Sequence, residues 1–278
     1  MVLNSYSKIN LSLLVNSKKK NGLHQIQSYF CLINLKDRIK IKKINQNKDS
    51  LNFKGTFAKS VKKNNNSIKS LLATLRKYKL ISSYYSVVIE KKIPVFGGLG
   101  GGTSNAVTVL RYILKNNPNK KILKAIEKKI GTDFKLFFYK RGFLKSLRHV
   151  VKQKINPKFF FVLIQPSIKC STKEIYAKVK TYSKKTIFNK KKVNNRKDFI
   201  NLLSSSRNDL QAVVEKKYPK IKTILNNISI QKGCSFSRIT GSGSVCYGIF
   251  IKRNFAIKAF KKLKKQYPEL WISFAKTV

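Results

Sequence analysis

The sequence predicts an α+β fold. Stretches of alternating or β-branched residues, typical of strands, occur among stretches with apolar residues three and four positions apart, typical of helices. The two kinds mix along the chain without the strict strand–helix alternation of a doubly wound parallel sheet. With 278 residues, the chain can bury one large core or two modest ones.

The elements can be assigned in order from this patterning. Strands are predicted at 6–15, 39–44, 84–90, 159–166, 245–251 and 270–274. Helices are predicted at 67–79, 103–115, 121–130, 172–181, 209–216, 219–226 and 255–265. The segment 183–197 is rich in Lys, Asn and Ser and poor in apolar residues, so it is predicted to be a solvated loop.

A glycine-rich loop joins the strand at 84–90 to the helix that follows it. Five glycines fall within the six positions 97–102, and Thr103 and Ser104 follow at the predicted helix start. Glycine lets the backbone approach a ligand closely, and the free amides of a helix N-terminus favour phosphate. Thr103 and Ser104 would act as N-caps or as ligands to phosphate or Mg²⁺. A tight turn without a ligand is the alternative.

Two common phosphate loops do not fit this segment. A Walker A loop needs a Gly-Lys pair, and the chain contains none. A dinucleotide-binding loop needs an acidic residue about twenty positions on, but no Asp or Glu lies between Glu90 and Glu127.

Six motifs in order resemble those of the GHMP kinase superfamily, named for galacto-, homoserine, mevalonate and phosphomevalonate kinases. They are Ser7-Lys8-Ile9-Asn10-Leu11-Ser12-Leu13 with Asn21-Gly22-Leu23-His24, the segment from Pro94 to Ala106, Gly131-Thr132-Asp133-Phe134, the segment from Pro166 to Tyr176, Asn208-Asp209-Leu210, and Arg238-Ile239-Thr240-Gly241-Ser242-Gly243-Ser244. The glycine run around one leucine, followed by Thr-Ser-Asn-Ala, is most similar to the branch that phosphorylates the cytidyl diphosphate of methylerythritol. Homoserine- or mevalonate-type acceptors are the alternative within the superfamily.

The resemblance implies a two-domain GHMP kinase fold. Residues 1–152 would form a ribosomal-protein-S5-like N-terminal domain, and 153–278 a ferredoxin-like C-terminal domain. It also implies ATP and Mg²⁺ as cofactors. The implied ATP-binding residues are Pro94, Gly97, Gly98, Leu99, Gly100, Gly101, Gly102, Thr103 and Ser104.

Two residues are implied in catalysis. Asp133 lies between Gly131 and the apolar run from Phe134 to Phe138, at the edge of a predicted core. The resemblance makes Asp133 the catalytic base, with an N-cap or turn aspartate as the alternative. It also makes Lys8 the partner of this aspartate, directed at the acceptor hydroxyl and the γ-phosphate.

The implied acceptor-binding residues are Asn10, His24, Thr172 and Tyr176. Asn10 is two residues beyond Lys8 and thus on the same strand face; an ordinary surface residue is the alternative. His24 and Tyr176 would hold the cytosine ring. Leu23 departs from the pattern, which has an aromatic residue there, and Phe96 replaces a glycine found in many relatives. The loop at 241–244 would pack against the phosphate loop.

The charge of the chain suggests a second kind of partner. There are 61 Lys and Arg residues against 10 Asp and Glu, giving a formal net charge of +51. Because the lysines are spread evenly and accompany many Asn and Ile residues, they fit a genome poor in G and C. A basic nucleic-acid-binding protein is the alternative function, but we expect no specific nucleic-acid partner, since no recognition motif accompanies the charge.

The remaining expectations concern compartment and metal. No apolar stretch is long enough to cross a bilayer. The four cysteines have neither C-x-x-C spacing nor a histidine set, so no zinc or other metal-ligand group is expected. Four scattered thiols favour a cytoplasmic location.

Overall fold

The computed structural model describes residues 1–62, 66–115, 119–147, 149–153, 157–186 and 195–278. The chain divides into two compact units. The first unit comprises Met1–Lys8, Leu35–Val95 and Gly100–Phe138, and the second comprises Ile9–Asn34, Phe96–Leu99 and Tyr139–Val278. The domains expected at 1–152 and 153–278 stay a prediction.

The described residues form the following elements. The strands are β1 (Val2–Asn10), β2 (Leu14–Lys18), β3 (His24–Ile44), β4 (Ser50–Lys54), β5 (Tyr84–Glu90), β6 (Arg141–Ser146), β7 (His149–Lys152), β8 (Phe160–Gln165), β9 (Cys234–Ile239), β10 (Cys246–Phe250) and β11 (Trp271–Lys276). The helices are α1 (Ser67–Lys77), α2 (Gly101–Ile113), α3 (Lys120–Ile130), α4 (Thr172–Ala177), α5 (Arg196–Ser205), α6 (Asp209–Lys217), α7 (Pro219–Ser229) and α8 (Arg253–Gln266). Short 3-10 segments cover Ala58–Ser60 and Thr132–Phe138.

The first unit combines strands with three helices. The C-terminal half of β3 pairs antiparallel with β5, which pairs parallel with β4. Helix α1 packs against α2 and α3, and the segment Thr132–Phe138 packs against α2 and α3. The helices bury Leu71, Val109 and Ile126, and the sheet buries Ile39 and Val87. This core supports the start of α2.

The second unit contains a four-stranded antiparallel sheet in the order β11-β8-β10-β9. Helices α4 to α7 follow β8 along the chain, and α8 follows β10. Helix α7 packs against β9 and β10, and α8 packs against β8, β10 and β11. Counted along the chain, the strand order is 4-1-3-2 with the β-α-β-β-α-β pattern of the ferredoxin-like motif. The predicted ferredoxin-like character is therefore confirmed.

Strand β3 was missed over most of its length by the sequence pattern. It spans 21 residues, and every residue from Ile26 to Ile33 is buried. Alternation disappears when both faces of a strand are covered, so this part carries no period-two signal. Its N-terminal half pairs with β2 and β6 in the second unit.

Several predicted boundaries also change. The strand predicted at 6–15 is interrupted after Asn10, because the amides of Leu11 and Leu13 donate to the carbonyls of Tyr29 and Arg207. Helix α4 ends at Ala177 rather than at residue 181. Within the loop predicted at 183–197, residues 187–194 lie outside the described residues, and α5 already begins at Arg196. Strands β4, β6, β7 and β9 and helix α5 were not predicted.

A buried ion pair fixes the end of β5 in the first unit. Lys91 Nζ donates to Asp37 Oδ2, and both side chains are at most 4% exposed. The other carboxylate oxygen of Asp37 accepts the backbone N–H groups of Lys92 and Ile93, at 2.7 and 2.8 Å. Asp37 thus holds the three residues that precede Pro94 and the glycine-rich loop.

Replacing Asp37 should therefore destabilise the protein strongly. We expect Asp37→Ala to lower the free energy of unfolding by about 3–5 kcal/mol, because it leaves the Lys91 ammonium buried and unpaired. Urea unfolding followed by circular dichroism measures this loss. Lys40→Ala, at an exposed position of the same strand, should change stability by no more than about 0.5 kcal/mol. A loss below about 1 kcal/mol for Asp37→Ala would contradict the role of the pair.

Candidate functional site

The first unit brings together the two residues expected to act in catalysis. Lys8 Nζ lies 3.1 Å from Asp133 Oδ2. The Lys8 side chain, on β1, is 3% exposed, and that of Asp133 is 32% exposed. Phe134, Leu136 and Phe137 are buried, so the carboxylate lies at the edge of a core as predicted. A lysine held in this way presents a fixed positive charge beside an accessible carboxylate.

The start of α2 lies in the same unit. Its N-cap is Gly100, which adopts left-handed φ +69° and offers no side chain to the helix. A Cβ on Gly100 would lie 2.7 Å from the Phe137 ring and 3.4 Å from Lys8 Cε, so only glycine fits beside the Lys8 side chain. With no acidic residue in the first turn, the N-terminal amides and dipole of α2 favour an anion.

The hydroxyls of Thr103 and Ser104 do not cap the start of α2 as expected. Helix α2 begins at Gly101 rather than Thr103, so the expectation that Thr103 or Ser104 is the N-cap was wrong. The Ser104 hydroxyl donates to the Tyr6 carbonyl at 2.6 Å and accepts from Ser5 Oγ at 2.8 Å. Ser104 is 3% exposed, and its hydroxyl fastens α2 to β1.

The first half of the glycine-rich loop belongs to the second unit, where it packs against the turn between β9 and β10. A Cβ on Gly98, with φ +72°, would lie 2.1 Å from the Thr240 carbonyl oxygen. The Thr240 hydroxyl donates to the Gly98 carbonyl at 3.3 Å, and the Ser244 amide donates to the Phe96 carbonyl at 3.2 Å. The predicted packing of the loop at 241–244, the second glycine motif, against the phosphate loop is confirmed. Phe96 has φ +59°, a conformation that glycine adopts more readily.

Asparagines support this second glycine motif. The Asn10 amide N–H donates to Thr240 Oγ1 at 3.1 Å, and its side-chain Nδ2 donates to Ser28 Oγ at 2.8 Å. Asn10 is 2% exposed, so the surface alternative was wrong. Asn208 Nδ2 donates to the carbonyls of Ile239 and Gly241, at 3.0 and 2.8 Å. The turn is thereby fixed from two sides.

An aromatic cluster in the second unit contains the residues expected to bind the acceptor. The ring centroids of His24 and Tyr176 lie 5.0 Å apart, and those of His24 and Tyr182 lie 6.4 Å apart. Burial, together with the positive charge of Lys18, lowers the pKa of His24, so this imidazole is neutral at pH 7. A neutral imidazole offers one hydrogen-bond donor and one acceptor. Thr172 Oγ1 lies 2.9 Å from Ser242 Oγ and connects α4 to the second glycine motif.

Sequence reasoning missed three residues: Asp37 and Lys91 of the buried ion pair, and Tyr182 of the aromatic cluster. Asp37 lies in a polar, lysine-rich stretch, and Lys91 is one of many lysines. Tyr182 precedes a lysine-rich segment and carries no motif. The signal for Asp37 is weak but present, since it falls within a stretch in which Ile39 and Ile41 alternate with basic residues.

The described ranges contain no helix with the length and hydropathy needed to cross a bilayer. Over the same ranges, no group of three or more His, Cys, Asp or Glu residues is placed to hold a metal ion.

Comparisons with known proteins give a consistent result. Family models described as GHMP kinases N terminal domain and GHMP kinases C terminal match residues 66–137 and 189–269. A protein of Pelagibacter ubique named 4-diphosphocytidyl-2-C-methyl-D-erythritol kinase is 34% identical, and the match covers 99% of this chain and 98% of the relative. A protein of the same name from Wolbachia pipientis is 30% identical, with 96% and 94% covered.

Solved structures share the fold. A crystal structure of 4-(cytidine 5'-diphospho)-2C-methyl-D-erythritol kinase superposes with a TM-score of 0.73 at 21% identity, covering 99% of each chain. The Methanococcus jannaschii mevalonate kinase superposes with a TM-score of 0.68 at 17% identity, covering 100% of this chain and 98% of the other.

Proposed function

Because the chain belongs to the GHMP kinases and, among them, to the 4-diphosphocytidyl-2-C-methyl-D-erythritol kinase family, we propose that it phosphorylates the 2-hydroxyl of 4-diphosphocytidyl-2-C-methyl-D-erythritol with ATP. The predicted GHMP kinase fold is confirmed. The observation that carries the mechanism is the Lys8–Asp133 pair, 3.1 Å apart in the same unit as the start of α2. The names of the relatives favour this acceptor over homoserine, mevalonate or nucleic acid.

The residues of the glycine-rich loop fit a triphosphate. Gly100, Gly101 and Gly102 have no side chains to obstruct the amides of α2, and no acidic residue of the first turn repels an anion. We assign Pro94 and 97–104 to ATP, with Ser104 acting as the anchor of α2 on β1. Mg²⁺, held by phosphate oxygens of the nucleotide, would offset their charge.

In the proposed reaction, Asp133 orients the acceptor hydroxyl and takes its proton. The acceptor oxygen forms a bond to the γ-phosphorus while the bond from that phosphorus to the bridging oxygen breaks, and ADP leaves. Lys8 offsets negative charge on the transferred phosphoryl group. Its ammonium is fixed before the reaction, so little reorganisation is needed as charge develops.

The acceptor residues are assigned by the same resemblance. His24 and Tyr176 would hold the cytosine ring, the neutral imidazole by hydrogen bonds and the tyrosine by stacking. Asn10 and Thr172, which both contact the second glycine motif, would lie beside the acceptor.

The four cysteines are all free thiols, which supports a reducing, cytoplasmic location.

An acceptor panel tests the proposed function. We expect the purified protein with Mg²⁺-ATP to phosphorylate the cytidyl diphosphate of methylerythritol. The reason is that relatives matching it over nearly their full length are named as kinases of that compound. Product is measured by coupled ADP release and by mass. Phosphorylation of homoserine or mevalonate, without turnover of the cytidyl compound, would contradict the proposal. So would tight nucleic-acid binding that persists at about 200 mM salt without any ATP turnover.

Removing the charge of Asp133 should separate chemistry from binding. We expect Asp133→Asn to lower kcat by about 10²–10⁴-fold, since it removes a general base, while the Kd for ATP measured by calorimetry stays within about twofold. The matched control is Glu269→Gln, which neutralises a half-exposed carboxylate and should leave kcat unchanged. Near-normal turnover by Asp133→Asn would exclude the assigned base.

Truncating Tyr176 should weaken acceptor binding selectively. Stacking of a base on an aromatic ring contributes about 1–3 kcal/mol, so Tyr176→Ala should raise the acceptor KM by about five- to a hundredfold. The KM for ATP should barely change, and Tyr176→Phe should behave like the wild type because it keeps the ring. Steady-state kinetics with each substrate varied in turn makes the measurement. An unchanged acceptor KM in Tyr176→Ala would show that this residue does not bind the cytosine.

A further inference from the structure

Tyr182 adds an exposed ring to the aromatic cluster. Its residue is 45% exposed, whereas His24, at the centre of the cluster, is 9% exposed. The rings of Tyr182 and His24 are tilted by 38°, close to the 35° between His24 and Tyr176. Tyr182 therefore covers part of His24 and still presents ring surface to solvent.

The segment that follows Tyr182 is fastened to β2. The Ser183 amide donates to the Val15 carbonyl at 2.8 Å, and the Ser183 hydroxyl donates to Asp209 Oδ2 at 2.6 Å. The same carboxylate oxygen accepts the Val15 amide at 2.7 Å. Arg207 Nη2 donates to Ser183 Oγ at 2.9 Å. Asp209 thus joins the start of β2 to the residue next to Tyr182.

The fastening continues along the segment. Asn16 Nδ2 donates to the Ser183 carbonyl at 3.0 Å. The side-chain amide of Gln27 forms two hydrogen bonds with the backbone of Thr186, donating to its carbonyl at 2.9 Å and accepting its amide at 2.7 Å. Because β2 and β3 also carry Lys18 and His24, the segment is fixed to the same hairpin as the imidazole.

The residue at position 23 explains why the exposed ring of Tyr182 matters for binding a base. The resemblance to the GHMP kinases implies an aromatic side chain at this position, and Leu23, at 44% exposure, offers no ring to a base. Tyr182, far along the chain, is the residue whose ring lies against His24 instead. An aromatic side chain on a fixed segment loses little conformational entropy when a base stacks on it.

We propose that Tyr182 is a specificity-determining residue that stacks on the cytosine ring of the acceptor and replaces the aromatic surface absent at Leu23. This inference rests on the proposed function. It adds a second tyrosine to the contacts expected from His24 and Tyr176. A nucleotide-free acceptor would gain nothing from this surface.

Steady-state kinetics of Tyr182 variants tests the proposal. We expect Tyr182→Ala to raise the acceptor KM at least about fivefold, with kcat and the KM for ATP within about twofold of the wild type. Tyr182→Phe should retain the wild-type acceptor KM, because the ring suffices for stacking. Cytidine diphosphate alone, titrated by calorimetry, should lose affinity in Tyr182→Ala to a similar degree. The matched control is Tyr112→Ala, at an exposed tyrosine near the end of α2, which should leave both KM values unchanged.

The outcomes separate this inference from the proposed function. If the wild type phosphorylates the cytidyl acceptor and Tyr182→Ala keeps its acceptor KM, then Tyr182 does not contact the base and only this inference is overturned. A lowered melting temperature with an unchanged acceptor KM would likewise assign Tyr182 a purely structural role. If the wild type does not turn over the cytidyl acceptor at all, the proposed function itself is overturned.

Discussion

The buried carboxylate of Asp37 is the constraint on which the first unit depends. It accepts hydrogen bonds from the Lys91 ammonium and from two consecutive backbone amides directly before Pro94. The same region fixes the start of α2, since a Cβ on Gly101 would lie 2.9 Å from Ile93 Cγ2 and 3.4 Å from Lys91 Nζ. The backbone that enters the glycine-rich loop and the helix that leaves it therefore share one support. A phosphate-binding helix start needs this rigidity, because its amides must be in place before the ligand arrives.

The second unit uses carboxylate and amide side chains in the same way. Asp209 accepts the Val15 amide and the Ser183 hydroxyl, while its neighbour Asn208 donates to two carbonyls of the second glycine motif. Two adjacent residues thus position both the aromatic cluster and the turn on which Gly98 packs. This explains physically why an Asn-Asp-Leu motif accompanies the glycine motifs even though its residues are not expected to touch substrate.

The charge imbalance makes these acidic residues conspicuous. Among the residues that the structure describes, eight acidic side chains pair with a described lysine or arginine. Asp49 follows the pattern of Asp37, since it binds Arg76 through both oxygens and also accepts the Tyr85 amide at 2.9 Å. With 61 basic residues and 10 acidic ones, most basic residues have no carboxylate to pair with, and this excess is the net charge of +51.

The sequence by itself determined the α+β class and the glycine-rich loop before a helix, because both are written in local spacing. The pairing of Lys8 with Asp133 was implied by the resemblance of two separate motifs to those of the GHMP kinases, since no local pattern relates positions 8 and 133. The sequence also predicted β5 with both of its ends. Only the tertiary structure decided the rest. The N-terminal half of β3 is buried on both faces and so lost its alternation. Asp37 meets Lys91 across 54 positions, and Tyr182 reaches His24 through a segment tied to β2. Such contacts join residues that no local pattern relates, and they form only when the chain packs.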